Sequence, residues 1–348
     1  MLQERIEGKW LAAFRRVLAL NGITNGTRVA ILAESQSRPV LVQLSDLACH
    51  ELGAEYAVMT LPTPPLSAPV PVKSTGTSLA IQGMRPVIEY LKQVEIIVDC
   101  TVEGLIHAPE WPEIEAAGTR LFVVCNEHPE ILERCEPTTA LAAKVDLGIA
   151  ALKAAKVMRV SSRAGTDLTV NVAGAPCGGT PGFTTKPGGV AHWPGGLVLC
   201  FPAKGTINGR IVMDVGDQNL TFKKYLETPV TFEIRNDYVT QILGDGLDAR
   251  LTRDYLAQWN DPEAYGLSHV GWGVNPGAKW VSMAMFDRRD MQAVEFRALA
   301  GSFLWSTGAN QYAGRFTQGH FDFPMLNCTI ELDGEIVARD GILQGRFA

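Results

Sequence analysis

Thr27-Arg-Val-Ala-Ile-Leu-Ala33 decides the architecture of this chain. After Arg28 the run is uniformly apolar, so it reads as a buried strand. Residues 3–20 before it read as an amphipathic helix ended by Asn21-Gly22. Residues 38–53 after it read as a second helix, and Ala54–Leu61 as a second strand. Glu95–Asp99 and Arg120–Cys125 are two further short apolar runs, with a helix expected before the first. Strands alternating with helices over this region predict an open α/β unit with a parallel sheet. The Pro-rich stretch Leu61-Pro-Thr-Pro-Pro65 to Ala68-Pro-Val-Pro71 is expected to be a loop. A dinucleotide-binding fingerprint would follow the first strand, but Ala33-Glu-Ser-Gln36 stands there, so that class is excluded.

From about residue 157 the character changes. Val157–Val160, Asp167–Val172, Gly209–Val215 and Thr231–Ile234 read as short strands, and Leu197–Phe201 as another. Residues 279–286 and 328–333 are expected to be further strands, and Ala249–Trp259 a helix. Residues 173–196 are rich in Gly and Pro with little periodicity, and are expected to form a long functional loop. The expectation is therefore an N-terminal α/β domain over residues 1–150 and a β-rich α+β domain over 151–348 that carries the chemistry.

Composition narrows the function. The chain has 348 residues, 46% of them apolar and 20% charged, with a net charge of −6. It has no basic excess that would argue for nucleic acid. The first residues lack the apolar core of a signal peptide. No apolar run approaches the roughly 20 residues that a membrane helix needs. The seven cysteines are scattered without a Cys-x-x-Cys pair, mostly in apolar settings such as Cys100 and Cys125. That suits reduced thiols in a cytoplasm and argues against a zinc ribbon or a disulfide framework.

Six histidines can be taken one at a time. His50 ends a helix and His128 follows a strand in Asn126-Glu-His-Pro-Glu130, where capping or a solvated surface suffices. His107, in Leu105-Ile-His-Ala-Pro109, lies just beyond the Glu95–Asp99 strand, on the side of an open sheet where ligands bind. His192 sits in Ala191-His-Trp-Pro-Gly-Gly196, where the imidazole and aromatic groups either line a pocket or pack on each other. Gly319-His-Phe-Asp-Phe323 puts His320 and Asp322 on the same face of a strand, because residues two apart point the same way. With His269, in Tyr265-Gly-Leu-Ser-His-Val-Gly-Trp-Gly273, these make two imidazoles and one carboxylate, the ligand set that holds non-haem Fe(II) with positions left open. The alternative is that each histidine is hydrogen-bonded within a core.

The segments Asn260-Asp-Pro-Glu-Ala-Tyr-Gly-Leu-Ser-His-Val-Gly-Trp-Gly-Val-Asn-Pro276, Phe303-Leu-Trp-Ser-Thr-Gly308, His192-Trp-Pro-Gly-Gly196 and Gly319-His-Phe-Asp-Phe-Pro324 together resemble the 2,5-dihydroxypyridine 5,6-dioxygenases, within the aminopeptidase T-like metallopeptidase superfamily. The similarity runs from about residue 10 to residue 338 and is densest after 155. The resemblance implies Fe(II) held by His269, His320 and Asp322, with His107 and His192 near the substrate as acid/base or hydrogen-bonding groups and Ser306 in the pocket. It implies a small hydroxypyridine and O₂ as partners, and cleavage of the C5–C6 bond to N-formylmaleamate in aerobic nicotinate catabolism. A homo-oligomer is also implied.

The peptidase branch resembles this chain less. Its Pro-x-Gly-Glu-Val segment stands here as Pro194-Gly-Gly-Leu-Val198, with Leu197 in the place of a metal-binding Glu, and its Gly-Glu-Val as Ser268-His-Val270. An apolar Leu cannot ligate a metal, so a bridged two-metal site loses an arm. One departure from the dioxygenases concerns Pro176-Cys-Gly-Gly-Thr-Pro-Gly-Phe-Thr-Thr-Lys186, which lacks an acidic residue expected there. A related hydroxylated N-heterocycle or aromatic diol therefore stays open as substrate. A two-metal peptidase and a catalytically inactive member stay open as other classes.

Overall fold

The structure, a computed structural model, describes residues 5–65, 77–287 and 291–348. Among these, the first unit is a parallel sheet in the order Glu55–Leu61, Arg28–Glu34, Ile96–Asp99, Arg120–Val124, Val190–Trp193. The central Arg28–Glu34 strand shows why its sequence has no alternation. Val29 and Ile31 pack into one core with Trp10, Phe14, Leu41 and Leu44 from the helices Gly8–Leu20 and Pro39–Glu51. Ala30 and Leu32 pack into a second core with Ile88, Leu91, Trp111 and Ile114 from the helices Arg85–Leu91 and Trp111–Ala116 on the other side. Helices cover both faces, as a parallel sheet requires. Of the Pro-rich stretch, residues 62–65 carry no regular structure and the part from residue 66 lies outside the described residues, as do residues 3 and 4 of the first expected helix.

Two large antiparallel sheets follow, besides the short antiparallel pair Gln218–Asn219 and Lys224–Tyr225. One runs Tyr238–Leu243, Val230–Arg235, Ile207–Met213, Asp167–Asn171, Val157–Ser162, Cys328–Leu332, Glu335–Arg339, Ile342–Leu343. The other runs Arg315–Met325, Phe303–Asn310, Leu267–Gly273, Leu197–Cys200, Cys177–Thr180. Aromatic side chains fill the space between them: Trp305 stacks on Phe323 at 4.2 Å, Phe323 on Phe321 at 4.1 Å, and Phe232 of the first sheet meets Trp305 edge-on at 4.8 Å. The helix Thr139–Ala154 covers the other end of the five-stranded antiparallel sheet, and Gly148 lets it close down on Val198 and Trp272. The fold is thus mixed α/β, with one parallel sheet and antiparallel sheets.

Two expectations are corrected. Residues 279–286 are not a strand: they form turns and the short helix Ser282–Met285, with Ser282 and Met283 buried and Val281 and Met285 exposed. The 173–196 segment is not one long loop. It contains the strand Cys177–Thr180 and then Val190–Trp193, which pairs in parallel with Arg120–Val124 and completes the first sheet. A strand from beyond residue 150 therefore belongs to the N-terminal sheet, and His192 lies on a strand rather than on a loop. Gly179 permits the first of these pairings, because a Cβ there would lie 2.5 Å from the Leu197 carbonyl oxygen.

Candidate metal centre

The strand Arg315–Met325 places its side chains alternately. Phe321 and Phe323 point into the aromatic core, so His320 and Asp322 point out of the other face. Gly319 lets the strand lie close against Trp259 and Ala264, where a Cβ would come within 2.7 Å of the Ala264 side chain. His269 reaches the same face through an irregularity in its own strand. Leu267 pairs with Thr307 but Val270 pairs with Trp305, a register step between them. Both Leu267 and Val270 are buried in the core, and the extra residue re-aims His269 to the opposite side. Ser306, fully buried and opposite Asp322 in the ladder, fixes this bulge: its Oγ accepts the His269 backbone N–H at 3.1 Å.

The ligand atoms of His269, His320 and Asp322 lie within 4.8 Å of one another. Both imidazole Nε2 atoms are 3.4 Å from Asp322 Oδ1. Among the described residues that oxygen is buried without a hydrogen-bond donor, whereas Oδ2 accepts from Arg297 Nε at 2.6 Å. A buried carboxylate oxygen without a donor costs free energy unless something positive meets it. The donor set of two imidazole nitrogens and one carboxylate oxygen therefore fits a divalent transition metal. Electrostatics agree. Burial pushes the His269 imidazole down to about 3, which keeps it neutral and its lone pair free. Burial alone would raise the Asp322 carboxyl, but Arg297 first, then His320 and His269, hold it well below the usual carboxylate range.

Two more histidines approach from the parallel sheet. His107 stands on the loop after Ile96–Asp99, its ring centroid 6.0 Å from that of His320. Buried Asp99 shapes that loop: Oδ1 accepts from the Thr101 N–H and hydroxyl, and Oδ2 from the Leu105 N–H at 2.7 Å. His107 is an exposed residue, and desolvation and then His320 pull its imidazole toward the neutral form. His192 sits at the C-terminal end of the fifth parallel strand, its ring Nδ1 2.7 Å from the Pro194 carbonyl and its backbone N–H donated to Thr180 Oγ1. Burial pushes it down to about 4, partly offset by the Pro194 bond.

The sequence-expected residues His107, His269, His320, Asp322 and Ser306 thus gather in one region. His192 feels the charges of Arg297 and Asp322, which pull its imidazole in opposite directions. His128 does cap a helix, its Nδ1 accepting from the Glu130 N–H, and His50 lies exposed at a helix end. Arg297 was not anticipated. Its short helix Glu295–Ala298 is strapped to the ends of the parallel strands: Gln292 exchanges hydrogen bonds with Asn126 and reaches the Val102 carbonyl, and Glu127 accepts from the Val294 N–H. The available signal was two charges, Glu295 and Arg297, inside the otherwise apolar run Ala293–Ala300. Phe201, edge-on to His269 at 5.6 Å, was also missed.

Comparisons with known proteins identify the family. The model of the 2,5-dihydroxypyridine 5,6-dioxygenase family matches residues 9–345. The 2,5-dihydroxypyridine 5,6-dioxygenase of Pseudomonas putida (strain KT2440) is 35% identical over 334 residues, covering 94% of each chain. A solved structure of 2,5-dihydroxypyridine dioxygenase from Pseudomonas putida KT2440 superimposes with a TM-score of 0.90 at 33% identity, over 97% of both chains. AmpT from Thermus thermophilus shares the fold at a TM-score of 0.61 with 13% identity, over 97% of this chain and 99% of its own. Family model, relative and geometry together place this chain in the 2,5-dihydroxypyridine 5,6-dioxygenase family.

Proposed function

We propose that the chain is an Fe(II)-dependent ring-cleaving dioxygenase that opens 2,5-dihydroxypyridine between C5 and C6 to N-formylmaleamate, as in aerobic nicotinate breakdown. The observation that carries the reading is the convergence of the two Nε2 atoms on the undonated Asp322 Oδ1. His269, His320 and Asp322 would hold the iron. When bound, it would lower the pKa of a ring hydroxyl and pass electron density from the ring to O₂.

The protein's own groups then divide the work. Arg297 occupies Oδ2, so Asp322 can turn only Oδ1 to the metal. His107 and His192, both pulled toward neutral, are proton acceptors at pH 7, suited to take the hydroxyl proton or bond the ring substituents. Ser306 donates to the His269 carbonyl only at 3.5 Å, which leaves its O–H able to turn to a substrate oxygen. On this reading the metal would belong to the β-rich part of the chain, beyond residue 150, whose strands carry His269, His320 and Asp322. Among the described residues no helix is long and apolar enough to cross a membrane. Cysteines that stand unbridged fit a cytoplasmic enzyme, and a homo-oligomer is part of the same reading.

Anaerobic purification with metal analysis, followed by oxygen uptake on a panel of dihydroxypyridines, tests this. One iron per chain and uptake matched to ring loss is the expected result. Two tightly held ions with peptide turnover and no oxygen uptake would replace it with the peptidase reading. No metal and no uptake would mark an inactive member.

A further inference from the structure

Cys177 and Cys200 stand directly opposite each other on the antiparallel strands Cys177–Thr180 and Leu197–Cys200. The Phe201 N–H donates to the Pro176 carbonyl at 2.9 Å, which makes the neighbouring Pro176/Phe201 pair the hydrogen-bonded one. Hydrogen-bonded and non-hydrogen-bonded pairs alternate, so Cys177/Cys200 is a non-hydrogen-bonded pair, with Cα atoms typically about 4.5 Å apart. That lies within the roughly 4.4–6.8 Å that a disulfide spans. Side chains at such paired positions leave the sheet on the same face, and here both thiols pack against the core that includes Leu141 and Val145 of the covering helix. The two differ in access: Cys200 is fully buried, whereas Cys177 is partly exposed.

We propose that Cys177 and Cys200 form a peroxide-oxidisable dithiol site that closes to a disulfide and reopens with thiol reductants. Cys177 is the attacking sulfur. It is the more accessible, and the Cys200 thiol favours its thiolate against burial, helped by the Lys153 ammonium, while the Cys177 sulfur next to it and then burial hold Cys200 protonated. The oxidant is hydrogen peroxide. The Cys177 sulfur bonds one peroxide oxygen as the O–O bond breaks, giving a sulfenic acid, and the departing hydroxide leaves as water with the thiol proton. The Cys200 sulfur then attacks the Cys177 sulfur. The S–S bond forms, the S–O bond breaks, and hydroxide departs as water with the Cys200 proton. Two electrons pass from the two sulfurs to one peroxide, giving one disulfide and two waters. On its other edge Cys200 pairs with Val270, the residue after His269, so the bridge would tie down the ladder beside the metal centre. The site does not depend on which ring the enzyme cleaves.

The full-length protein would be treated with a small molar excess of hydrogen peroxide, quenched with catalase, alkylated in denaturant and digested with chymotrypsin. Mass spectrometry should show the Cys177 and Cys200 peptides joined, lighter by two hydrogens than their sum and separated by dithiothreitol. Free thiols should fall by two from the seven in the chain. In Cys200→Ser the bridge should vanish and Cys177 should be trapped by dimedone as sulfenic acid. In Cys177→Ser neither product should form, with an unchanged circular dichroism spectrum showing that the variant is folded. The proposal is overturned if both cysteines stay alkylated while peroxide is consumed, if other cysteines bridge first, or if wild-type Cys177 ends as sulfinic acid beside a free Cys200.

Discussion

In the strand Arg28–Glu34 every side chain after Arg28 is buried, alternately against the helices on one face and those on the other. In the strand Arg315–Met325 neighbouring side chains part company: Phe321 and Phe323 enter an aromatic core, while His320 and Asp322 turn to the metal centre. A strand sandwiched between two layers has no free face, so it can offer chemistry only at its ends and in the loops beyond them. A strand covered on one face can carry functional groups along its middle, spaced by two residues. The placement of the site follows that difference. The candidate metal ligands come from mid-strand positions of the antiparallel sheet. The histidines proposed to handle protons come from the C-terminal margin of the parallel one, His107 on a loop and His192 near a strand end.

If that division is right, removing a mid-strand ligand should do the most damage. Asp322→Ala, His269→Ala or His320→Ala should lose both iron and turnover, measured as metal content after anaerobic reconstitution and as oxygen uptake. Full iron and activity in His320→Ala would break the assignment. Histidines at the margin of the parallel sheet should behave differently: His107→Ala and His192→Ala should keep their iron but lose roughly 10²-fold or more in turnover. Iron loss in either would mean that the two sheets do not divide the work. Arg297→Met should weaken metal affinity or activity by about 10- to 100-fold, read by metal titration in parallel with kinetics, since it frees Asp322 Oδ2 without removing a ligand.

The smallest effect concerns pH. His192 is held near 4 in the fold against an ordinary 6.5, so as pH falls below about 6.5 the unfolded chain takes up its proton first. Its influence on stability is nil above that value and becomes destabilising as pH falls toward 4. Denaturant unfolding across that window should show a decline that is shallower in His192→Asn. An identical slope in the variant would show that His192 is not shielded as described.

The legible parts of this molecule share a property: the signal lay within a few consecutive residues. Thr27–Ala33 read as a buried strand because it is apolar almost throughout, and the candidate metal pair read from the i, i+2 spacing of His320 and Asp322. Segments whose state depends on a distant partner did not read correctly. Val190–Trp193 is four residues flanked by Gly and Pro, and only the exposed edge of Arg120–Val124 makes it a strand. Residues 279–286 look apolar enough for a strand but turn into a helix that buries Ser282 and Met283. The bulge that turns His269 is visible only as the register step between Leu267 and Val270 against the neighbouring strand.

By itself, then, the sequence determined which residues have metal-binding chemistry and which strands are buried, because residue type and short-range periodicity are local. Tertiary structure alone decided that Arg297 would neutralise one oxygen of Asp322 and leave the other bare, and that Cys177 would face Cys200. Those relations join residues 25 and 23 positions apart, and they come from how strands pair and how a short helix is strapped across their ends.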